Sequence, residues 1–233
     1  MLMKKWEELP EKMQNEKVRP YYDILKKKTF ALILKRLFDV FVSFVLLVIL
    51  SPAFLVLAIA IKLDSPGPVF YRQKRVTQYG KEFYIHKFRS MVDNADKKGT
   101  LVTVSEDNRI TKIGHLIREY RLDEVSQLID VFTGNMTFAG TRPEVTKYVD
   151  AYTDEMLATL LLPAGVTSEA SIRYKDEARL LDASSDVDKT YIEQVLPGKM
   201  KYNLESIRNF SLWGEIQTMF RTVFAVFGKD YPS

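Results

Sequence analysis

The sequence feature that most constrains the fold is an apolar run from Leu37 to Ile61, whose one charged residue is Asp39. A helix that crosses the hydrocarbon core of a bilayer needs about 20 such residues, so the run is long enough to span. Ser51 and Pro52 fall past its middle, and proline removes a backbone hydrogen bond and clashes with the preceding turn. We therefore expect a sharp bend there, which leaves arms of about 21 Å and 14 Å, each shorter than a core of about 30 Å.

Basic residues flank this run on both sides. They are Lys26, Lys27, Lys28, Lys35 and Arg36 before it, and Lys62, Arg72, Lys74 and Arg75 after it. The positive-inside rule places both ends on the cytoplasmic side, so the segment has to turn back. We predict a re-entrant membrane helix over residues 35–63, broken at Ser51 and Pro52 and in contact with membrane lipid; a kinked spanning helix is the alternative. Asp39 lies one helical turn from Arg36 and is expected to pair with it.

The composition excludes several classes of protein. A hydrophobic content of 46% is enough for a core. The absence of cysteine excludes disulfides and thiolate chemistry, and the presence of only two histidines argues against a histidine-rich metal site. The 34 basic and 30 acidic residues suit an anionic membrane surface, and their even spread argues against a nucleic acid partner. The stretch 1–20 is polar and lacks the apolar core of a secretory signal.

These patterns predict an α+β fold dominated by helices, in three regions. Residues 1–34 form a basic amphipathic extension, which lies in the lipid headgroup region or forms a solvated arm. Residues 35–63 form the membrane helix, and residues 64–233 form a cytosolic domain. In that domain the runs VFYRQKR and KEFYIHKFRSM predict a short hairpin that turns at Tyr79 and Gly80.

Two helices in the cytosolic domain are predicted from apolar periodicity. One covers residues 109–120, with Ile110, Ile113, Leu116 and Ile117 on one face. The other lies near the C-terminus, with a stripe formed by Ile216, Met219, Phe220, Val223, Phe224 and Phe227. Such a stripe belongs either to the core or, together with Trp213, to an amphipathic helix at the membrane interface.

An adjacent acidic pair, Asp123 and Glu124, opens a further predicted helix. Neighbouring side chains point about 100° apart on a helix, so both can face one site only where a helix starts or breaks. The simple interpretation is an N-cap followed by a first-turn charge. Flanking arginines, Arg118 and Arg121 before the pair and Arg142 after it, favour phosphoryl chemistry because arginine binds phosphate oxygens bidentately. A carboxylate can serve there as a nucleophile or a metal ligand.

The predicted hairpin is strongly basic. It carries Arg72, Arg75, Lys87 and Arg89 directly after the membrane segment, where they could bind the phosphates of a lipid or a nucleotide. The alternative is a solvated basic edge that discourages strand aggregation. The polar stretch 91–108 is expected to form a loop or lid over the site.

Ordered blocks over residues 35–233 resemble the bacterial sugar transferases known as monotopic phosphoglycosyl transferases. The blocks are KRLFDV at 35–40, SP at 51–52, DSPGPVFYRQKR at 64–75, KFRSM at 87–91, RITKIG at 109–114, LDEVSQL at 122–128 and GTRP at 140–143. Together they are far more specific than any one of them. The resemblance implies an enzyme that transfers a sugar 1-phosphate from a UDP-sugar to undecaprenyl phosphate and releases UMP, as the first membrane step of glycan synthesis.

The resemblance also implies a role for each matching residue. Asp123 would be the nucleophile that forms an aspartyl sugar phosphate, and Glu124 with Asp123 would hold Mg²⁺. The cations that would position the phosphates are Lys87, Arg89, Arg118 and Arg142, and Arg173 would contact the nucleotide or sugar. The family location is the bacterial inner membrane, with the catalytic domain facing the cytoplasm, and a homodimer or downstream glycosyltransferases are the expected partners.

The sequence departs from the family pattern at three positions. Ser126 and Thr141 stand where the family commonly has proline, and Thr77 stands where it usually has glycine. These changes keep the carboxylates and affect only the expected rigidity of the loops. They leave room for a catalytically inactive membrane-surface scaffold of a glycan assembly complex. A soluble glycosidase is disfavoured, because adjacent acids rarely flank a glycosidic bond at the needed separation of about 5–9.5 Å.

Overall fold

The computed structural model describes residues 3–93, 95, 107–174 and 186–226. Short 3₁₀ helices at Trp6–Glu8 and Glu11–Met13 lead into helix α1, Arg19–Lys27, and then into helix α2, Thr29–Asp64. The predicted apolar run lies wholly within α2. The most apolar window of α2 has a mean hydropathy of 3.0, and among the described residues α2 is the one helix whose length and composition suffice to cross a membrane.

Pro52 lies inside α2 without ending it. Its ring nitrogen cannot donate the bond that the carbonyl of Val48 would otherwise accept. The hydroxyl of Ser51 donates to that carbonyl instead, over 2.8 Å. The Ser51–Pro52 pair therefore supplies its own replacement for the lost bond. A break of the helix at this pair is not confirmed, and the re-entrant course through a bilayer stays a prediction.

Much of the surface of α2 is apolar and exposed. The exposed side chains are Phe30, Leu34, Leu37, Phe41, Phe44, Val48, Ile49, Leu55, Val56, Ile59 and Leu63. Large exposed apolar patches on folded proteins mark contacts with a membrane or another protein. Such a surface along an entire helix is what a lipid bilayer would cover.

A buried polar cluster anchors α2 to the rest of the chain. Lys35 Nζ donates to the carbonyl of Ala139 over 3.1 Å and to Glu215 over 2.5 Å. Asp39 lies 4.0 Å from Lys35 and accepts a hydrogen bond from the hydroxyl of Thr137 over 2.5 Å. Charged groups are rarely buried unless they are paired, so these bonds fix which face of α2 meets the domain.

The predicted pairing of Arg36 with Asp39 is wrong. Arg36 donates to the carbonyls of Val131 and Phe132, over 2.7 Å and 3.0 Å. These carbonyls lie at the end of the helix that follows the acidic pair, where backbone acceptors have no partners within the helix. Asp39 already has Lys35 as its basic partner, so Arg36 is available to cap this helix end.

The N-terminal segment packs into the core instead of forming an arm. Its buried side chains are Met3, Leu9, Met13, Val18, Tyr21, Tyr22 and Leu25. They form one apolar cluster with residues of the region 64–233, among them Leu161 and Leu204. The interpretation as a solvated arm is therefore wrong, and the predicted boundary at residue 34 falls inside α2. A headgroup position for Lys26 and Lys27 stays a prediction.

Replacement of Leu25 tests this packing. Leu25 has no exposed surface, so Leu25→Ala is expected to lower the free energy of unfolding by about 2–5 kcal/mol through the cavity it leaves. Leu116→Ala is the control, because 47% of Leu116 is exposed, and it should change this free energy by no more than about 0.5 kcal/mol. Urea unfolding of detergent-solubilised protein measures both. Equal, small effects would mean that the segment is not part of the folded unit.

The predicted hairpin is confirmed. Strand β1, Phe70–Val76, pairs antiparallel with strand β2, Glu82–Phe88. Between them Tyr79 and Gly80 have φ values of 60° and 75°, so the reversal falls where the sequence predicts it. Thr77, which departs from the family pattern, donates its hydroxyl to a backbone carbonyl over 2.6 Å and accepts a backbone N–H over 3.1 Å. Its side chain therefore holds this loop in place.

Helix α3, Lys112–Glu119, confirms the predicted helix at 109–120. It begins at Thr111, whose hydroxyl accepts the N–H of Gly114. Ile117 is fully buried, whereas Leu116 is exposed, so the predicted apolar face is only partly right. After α3 a 3₁₀ helix at Leu122–Gln127 carries the acidic pair and continues into α4, Leu128–Thr133.

A parallel pair of short strands follows, which the sequence did not predict. Strand β3, Met136–Ala139, pairs with strand β4, Ala164–Thr167. Gly140 and Gly165 lie so close that a β-carbon on Gly165 would overlap the backbone of Gly140. The two chain segments can approach in this way because neither residue has a side chain. This pairing sets the course of the chain from β3 into the loop that carries Arg142.

The remaining elements are mostly helical. They are α5 at Thr146–Val149, a 3₁₀ helix at Met156–Leu161, α6 at Glu169–Arg173, α7 at Val187–Thr190, a π-helical turn at Tyr191–Val195, α8 at Leu196–Arg208 and α9 at Leu212–Val226. The predicted fold class, a helix-dominated α+β chain with a short hairpin, is confirmed.

Helix α9 exposes its apolar stripe. Trp213, Phe220, Val223 and Phe224 are each more than 40% exposed, so the core interpretation is wrong for these positions. The interfacial interpretation stays a prediction. Phe227, the last member of the predicted stripe, lies outside the described residues, as do residues 94 and 96–106 of the loop expected over the site.

Candidate active site

The acidic pair follows a tight reversal of the chain. Arg121, between α3 and the 3₁₀ helix, has a φ of 51° and a ψ of 30°. This left-handed conformation is uncommon for residues other than glycine, and it often marks a functional site when the surroundings enforce it. The reversal allows Arg118, near the end of α3, and Asp123, near the start of the 3₁₀ helix, to line one cavity.

Glu124 is held by two cations from different parts of the chain. Both of its oxygens accept from the guanidinium of Arg142, and one of them also accepts from Lys87 Nζ over 3.1 Å. Although burial alone would raise it, the pKa of Glu124 lies well below its usual range because of these two cations. Glu124 is therefore a fixed negative charge directly beside Asp123.

Asp123 has a different environment from its neighbour. No described residue hydrogen-bonds to its carboxylate. Burial raises the pKa of Asp123, and the charge of Glu124 raises it further, against the opposing effects of Lys87, Arg118 and Arg142. Adjacent acids whose surroundings shift their pKa values in opposite directions are typical of catalytic pairs.

The carboxylate of Asp123 faces a cavity of about 470 Å³, within the usual range for small-molecule sites. The cationic side chains that line it are Arg72, Arg75, Lys87, Arg89, Arg109 and Arg118, and the carboxylates are Asp93 and Asp123. The apolar part of the wall comes from Pro68, Phe70, Phe88, Met91, Val92 and Ala95. Cations therefore outnumber carboxylates, and the cavity suits an anion that also has an apolar portion.

Four arginines of this cavity have no carboxylate partner among the described residues. Arg72, Arg75, Arg89 and Arg118 hydrogen-bond to neutral oxygens only. Arg109 differs, because its hydrogen bonds to Asp107 lower the pKa of that carboxyl to about 2. Arg89 is buried and Arg75 and Arg118 are partly buried, whereas Arg72 is exposed. Guanidinium groups removed from water favour a nearby negative charge, and a bound phosphate would supply one.

The sequence-predicted cations divide into two sets. Lys87 and Arg142 bind Glu124, and Arg118 lies at the cavity with its Nε donating to Ser90 over 2.9 Å. Arg89 is almost completely buried, and its terminal nitrogens bind backbone carbonyls at the end of α2 and in the turn after it. Only its Nε has no partner among the described residues. Arg89 therefore joins α2 to the cavity wall.

Arg173 is not brought to the Asp123 cavity. It lines a separate cavity of about 280 Å³ between α6, α8 and α9, where its guanidinium lies 4.8 Å from the centre of the Tyr202 ring. The reason is the position of α6, which packs against α8 and not against the hairpin. A nucleotide bound beside Asp123 would have to extend beyond the Asp123 cavity to reach Arg173.

The sequence alone did not identify Ser90 and Arg109 as site residues. Ser90 belongs to the KFRSM block, and its hydroxyl orients Arg118. Arg109 opens the RITKIG block, and it lines the cavity from beside α3. Both residues lie inside blocks that resemble the family pattern. Membership of such a block therefore indicated a position near the site, although the chemistry of the single residue did not.

Replacement of Lys87 tests the electrostatics of the acidic pair. Lys87→Met removes a cation that favours the ionised form of Asp123, so the pKa of Asp123 is expected to rise further. Carboxyl ¹³C NMR of metal-free protein, assigned with Asp123→Asn, measures this titration. Lys74→Met is the matched control, because Lys74 pairs with Glu82 on the exposed part of the hairpin. An unchanged or lower pKa in Lys87→Met would contradict this geometry.

The acidic pair fits one mode of magnesium binding. In phosphoryl-transfer sites Mg²⁺ commonly binds one or two carboxylates together with phosphate oxygens of the substrate. Asp123 and Glu124 are adjacent, and the Asp123 carboxylate has no hydrogen-bond partner among the described residues. Groups of three or more metal-binding side chains are not found in the described part of the chain. The donor set thus fits a metal that is completed by substrate phosphates.

The fold and the site together define a protein that presents an arginine-lined anion cavity beside a long apolar helix. Comparison with known proteins is consistent with this class. The family model for bacterial sugar transferases matches residues 30–229. The chain therefore belongs to the bacterial sugar transferase family, and the resemblance predicted from the sequence blocks is confirmed.

Three relatives illustrate the match. The UDP-N-acetylgalactosamine-undecaprenyl-phosphate N-acetylgalactosaminephosphotransferase of Aeromonas hydrophila is 32% identical over 193 residues, 82% of this chain and 43% of the relative. The UDP-glucose:undecaprenyl-phosphate glucose-1-phosphate transferase of Escherichia coli K12 is 33% identical over 221 residues, which cover 93% of this chain and 45% of the relative. The transferase of the same name from Caulobacter vibrioides is 30% identical over 199 residues, which cover 84% of this chain and 70% of the relative. The chain thus spans less than half the length of the first two relatives.

Proposed function

We propose that this chain transfers a sugar 1-phosphate from a UDP-sugar to undecaprenyl phosphate and releases UMP, as the first membrane step in the synthesis of a glycan. One observation carries the proposal. A carboxylate that no described residue hydrogen-bonds, that of Asp123, faces a cavity in which four arginines lack a carboxylate partner. The names of the relatives support both substrates, and because they differ in the sugar the proposal leaves the sugar open.

The reaction proceeds in two displacements at one phosphorus. A carboxylate oxygen of Asp123 attacks the phosphorus next to the sugar, the bond from that phosphorus to the UMP oxygen breaks, and UMP leaves. The enzyme then holds an aspartyl sugar phosphate. An oxygen of undecaprenyl phosphate attacks the same phosphorus, and the carboxylate of Asp123 leaves. The two anionic substrates never have to meet directly, which avoids their mutual repulsion.

The surrounding residues hold this geometry. Glu124, fixed by Lys87 and Arg142, stands beside the nucleophile. Glu124 and Asp123 would hold Mg²⁺. Arg118 binds phosphate oxygens, and Arg89 contributes its positive charge from the cavity wall. When bound, Mg²⁺ neutralises charge on the diphosphate and on the leaving UMP.

The position of the site suits a lipid substrate. Phe70 and Phe88 line the cavity and also pack in one apolar cluster with Phe54 and Leu57 of α2. We infer that α2 enters the cytoplasmic leaflet of the bacterial inner membrane as a re-entrant helix and that the domain at residues 64–233 faces the cytoplasm, with α9 at the interface. The UDP-sugar then arrives from the cytosol and undecaprenyl phosphate from the leaflet.

The test is UMP release by detergent-solubilised protein. The assay supplies a panel of UDP-sugars, Mg²⁺ and a short polyprenyl phosphate, with a parallel series in EDTA. We expect release from at least one UDP-sugar and loss of release in EDTA. Folded protein that releases no UMP across the panel would contradict the proposal and would favour the scaffold alternative, which keeps the membrane surface without the chemistry.

A further inference from the structure

A buried pair of side chains links strand β2 to the helix that follows the acidic pair. Asp130, in the first turn of α4, has no exposed surface. Its Oδ2 accepts the backbone N–H of His86 over 2.8 Å, and its Oδ1 lies 2.8 Å from Nδ1 of the His86 ring. An ionised carboxylate can only accept hydrogen bonds, so Nδ1 carries the proton in this pair.

The backbone N–H and carbonyl of His86 both bind side chains of the segment 122–133, which carries the acidic pair. Ser126, in the 3₁₀ helix of the acidic pair, donates its hydroxyl to the carbonyl of His86 over 3.0 Å. Among the described strands, β2 pairs only with β1, so its outer edge would otherwise present unpaired backbone groups. Side chains of residues 122–133 therefore take the place of a third strand at His86.

These contacts act on the residue next in the chain. Lys87 follows His86 directly, and its Nζ donates to Glu124 over 3.1 Å. The segment that carries Glu124 also supplies Ser126 and Asp130, so three bonds at His86 set the distance between the Lys87 backbone and Glu124. A shift of about 1 Å at a catalytic group can cost about 100-fold in rate.

We propose that His86 and Asp130 form a positioning pair that keeps Lys87 aligned with Glu124. Neither side chain lines the Asp123 cavity, so neither is a catalytic residue. The proposal rests on the proposed function only for its effect on activity. The alignment itself is a property of the folded chain without substrate, and it can be measured separately.

The test measures the reactivity of individual lysines. Detergent-solubilised wild type, Asp130→Ala, His86→Phe and Asp130→Asn are acetylated with limiting acetic anhydride, and each lysine is quantified by peptide mass spectrometry. Lys87 should become about tenfold more reactive in Asp130→Ala, which removes two of the three bonds, because its amine leaves a charged hydrogen bond. His86→Phe removes only the ring bond and should raise the reactivity of Lys87 by a smaller factor. Asp130→Asn should recover the wild-type value, since its amide oxygen accepts the backbone N–H and its NH₂ can donate to the other tautomer of the ring.

Two lysines serve as internal controls. Lys74 is half exposed on the same hairpin and should react equally in all variants. Lys199 is buried elsewhere, so a rise at Lys199 parallel to that at Lys87 would indicate general loosening and overturn the proposal. Unchanged Lys87 reactivity in both disruptive variants would also overturn it. His86→Phe keeps the backbone bonds of His86, so it provides the result if Asp130→Ala does not fold.

Activity gives the second readout. If the wild type releases UMP, kcat/KM should fall by about 10–100-fold in Asp130→Ala and His86→Phe and recover in Asp130→Asn. A failure of the proposed function would appear as a wild type that releases no UMP, with the lysine pattern unaffected. The two proposals can therefore fail independently.

Discussion

Replacing Asp123 with asparagine is expected to lower UMP release by roughly 10⁴-fold or more, because the amide has no oxygen that can attack phosphorus effectively. The fold should survive. Burial and the charge of Glu124 raise the pKa of Asp123, so the folded state disfavours the ionised carboxylate compared with the unfolded chain. The stability that this group contributes is present at low pH and is lost as the pH rises through the folded pKa, so a neutral side chain does not reduce stability at neutral pH.

The matched control is Asp150→Asn, the same exchange at an exposed position after α5. It should leave both UMP release and urea unfolding unchanged. UMP release by Asp123→Asn within about tenfold of wild type would remove Asp123 as the nucleophile. A loss of activity together with a loss of folding would mean that the Asp123 side chain has a structural role that its contacts with the described residues do not indicate.

Replacing Arg142 with methionine is expected to affect both stability and activity. Arg142 binds both oxygens of Glu124, and its own pKa is raised by that charge. The ion pair is partly buried, and its loss leaves Lys87 as the remaining cation bound to Glu124, so the free energy of unfolding should fall by about 1–3 kcal/mol. Activity should be lost as well, because Glu124 would no longer be held beside Asp123.

Two variants help to interpret this result. Lys74→Met breaks an exposed ion pair with Glu82 and should change the free energy of unfolding by less than about 1 kcal/mol. Arg142→Met combined with Glu124→Gln also removes the negative charge that Arg142 had balanced, and it should recover part of the stability but none of the activity. If Arg142→Met is no more destabilising than Lys74→Met, the ion pair with Glu124 does not form in solution.

Local chemistry predicted the elements with strong sequence signals. The long apolar helix and the turn at Tyr79 and Gly80 were visible because apolar periodicity and turn residues act over a few positions. A helix start near the acidic pair was predicted as well, but the interpretation of Asp123 as its N-cap is wrong, because the segment is a 3₁₀ helix that begins at Leu122 and has Arg121 at the N-cap position. The blocks around Lys87 and Arg118 likewise identified side chains that the fold brings to Asp123. The arrangement of these side chains was less predictable, since sequence spacing does not tell whether Lys87 binds a substrate or Glu124.

Features that depend on distant partners were missed. Single apolar residues of the N-terminal segment, such as Leu9 and Val18, stand among polar and charged residues and show no periodicity. They become core residues only through contact with a cluster formed by distant parts of the chain. The β3 and β4 strands pair across a long separation, and each is only four residues long. Arg173 looked like a substrate contact from its place in the chain, whereas the packing of α6 against α8 directs it to another cavity.

The most direct test of the covalent mechanism is the intact mass of the protein after incubation with a UDP-sugar and Mg²⁺ in the absence of polyprenyl phosphate. The expected result is a gain equal to one sugar phosphate, mapped to the peptide that contains Asp123, which disappears when polyprenyl phosphate is added and is absent in Asp123→Asn. UMP release that requires polyprenyl phosphate, with no change in protein mass at any time, would contradict the covalent relay through Asp123.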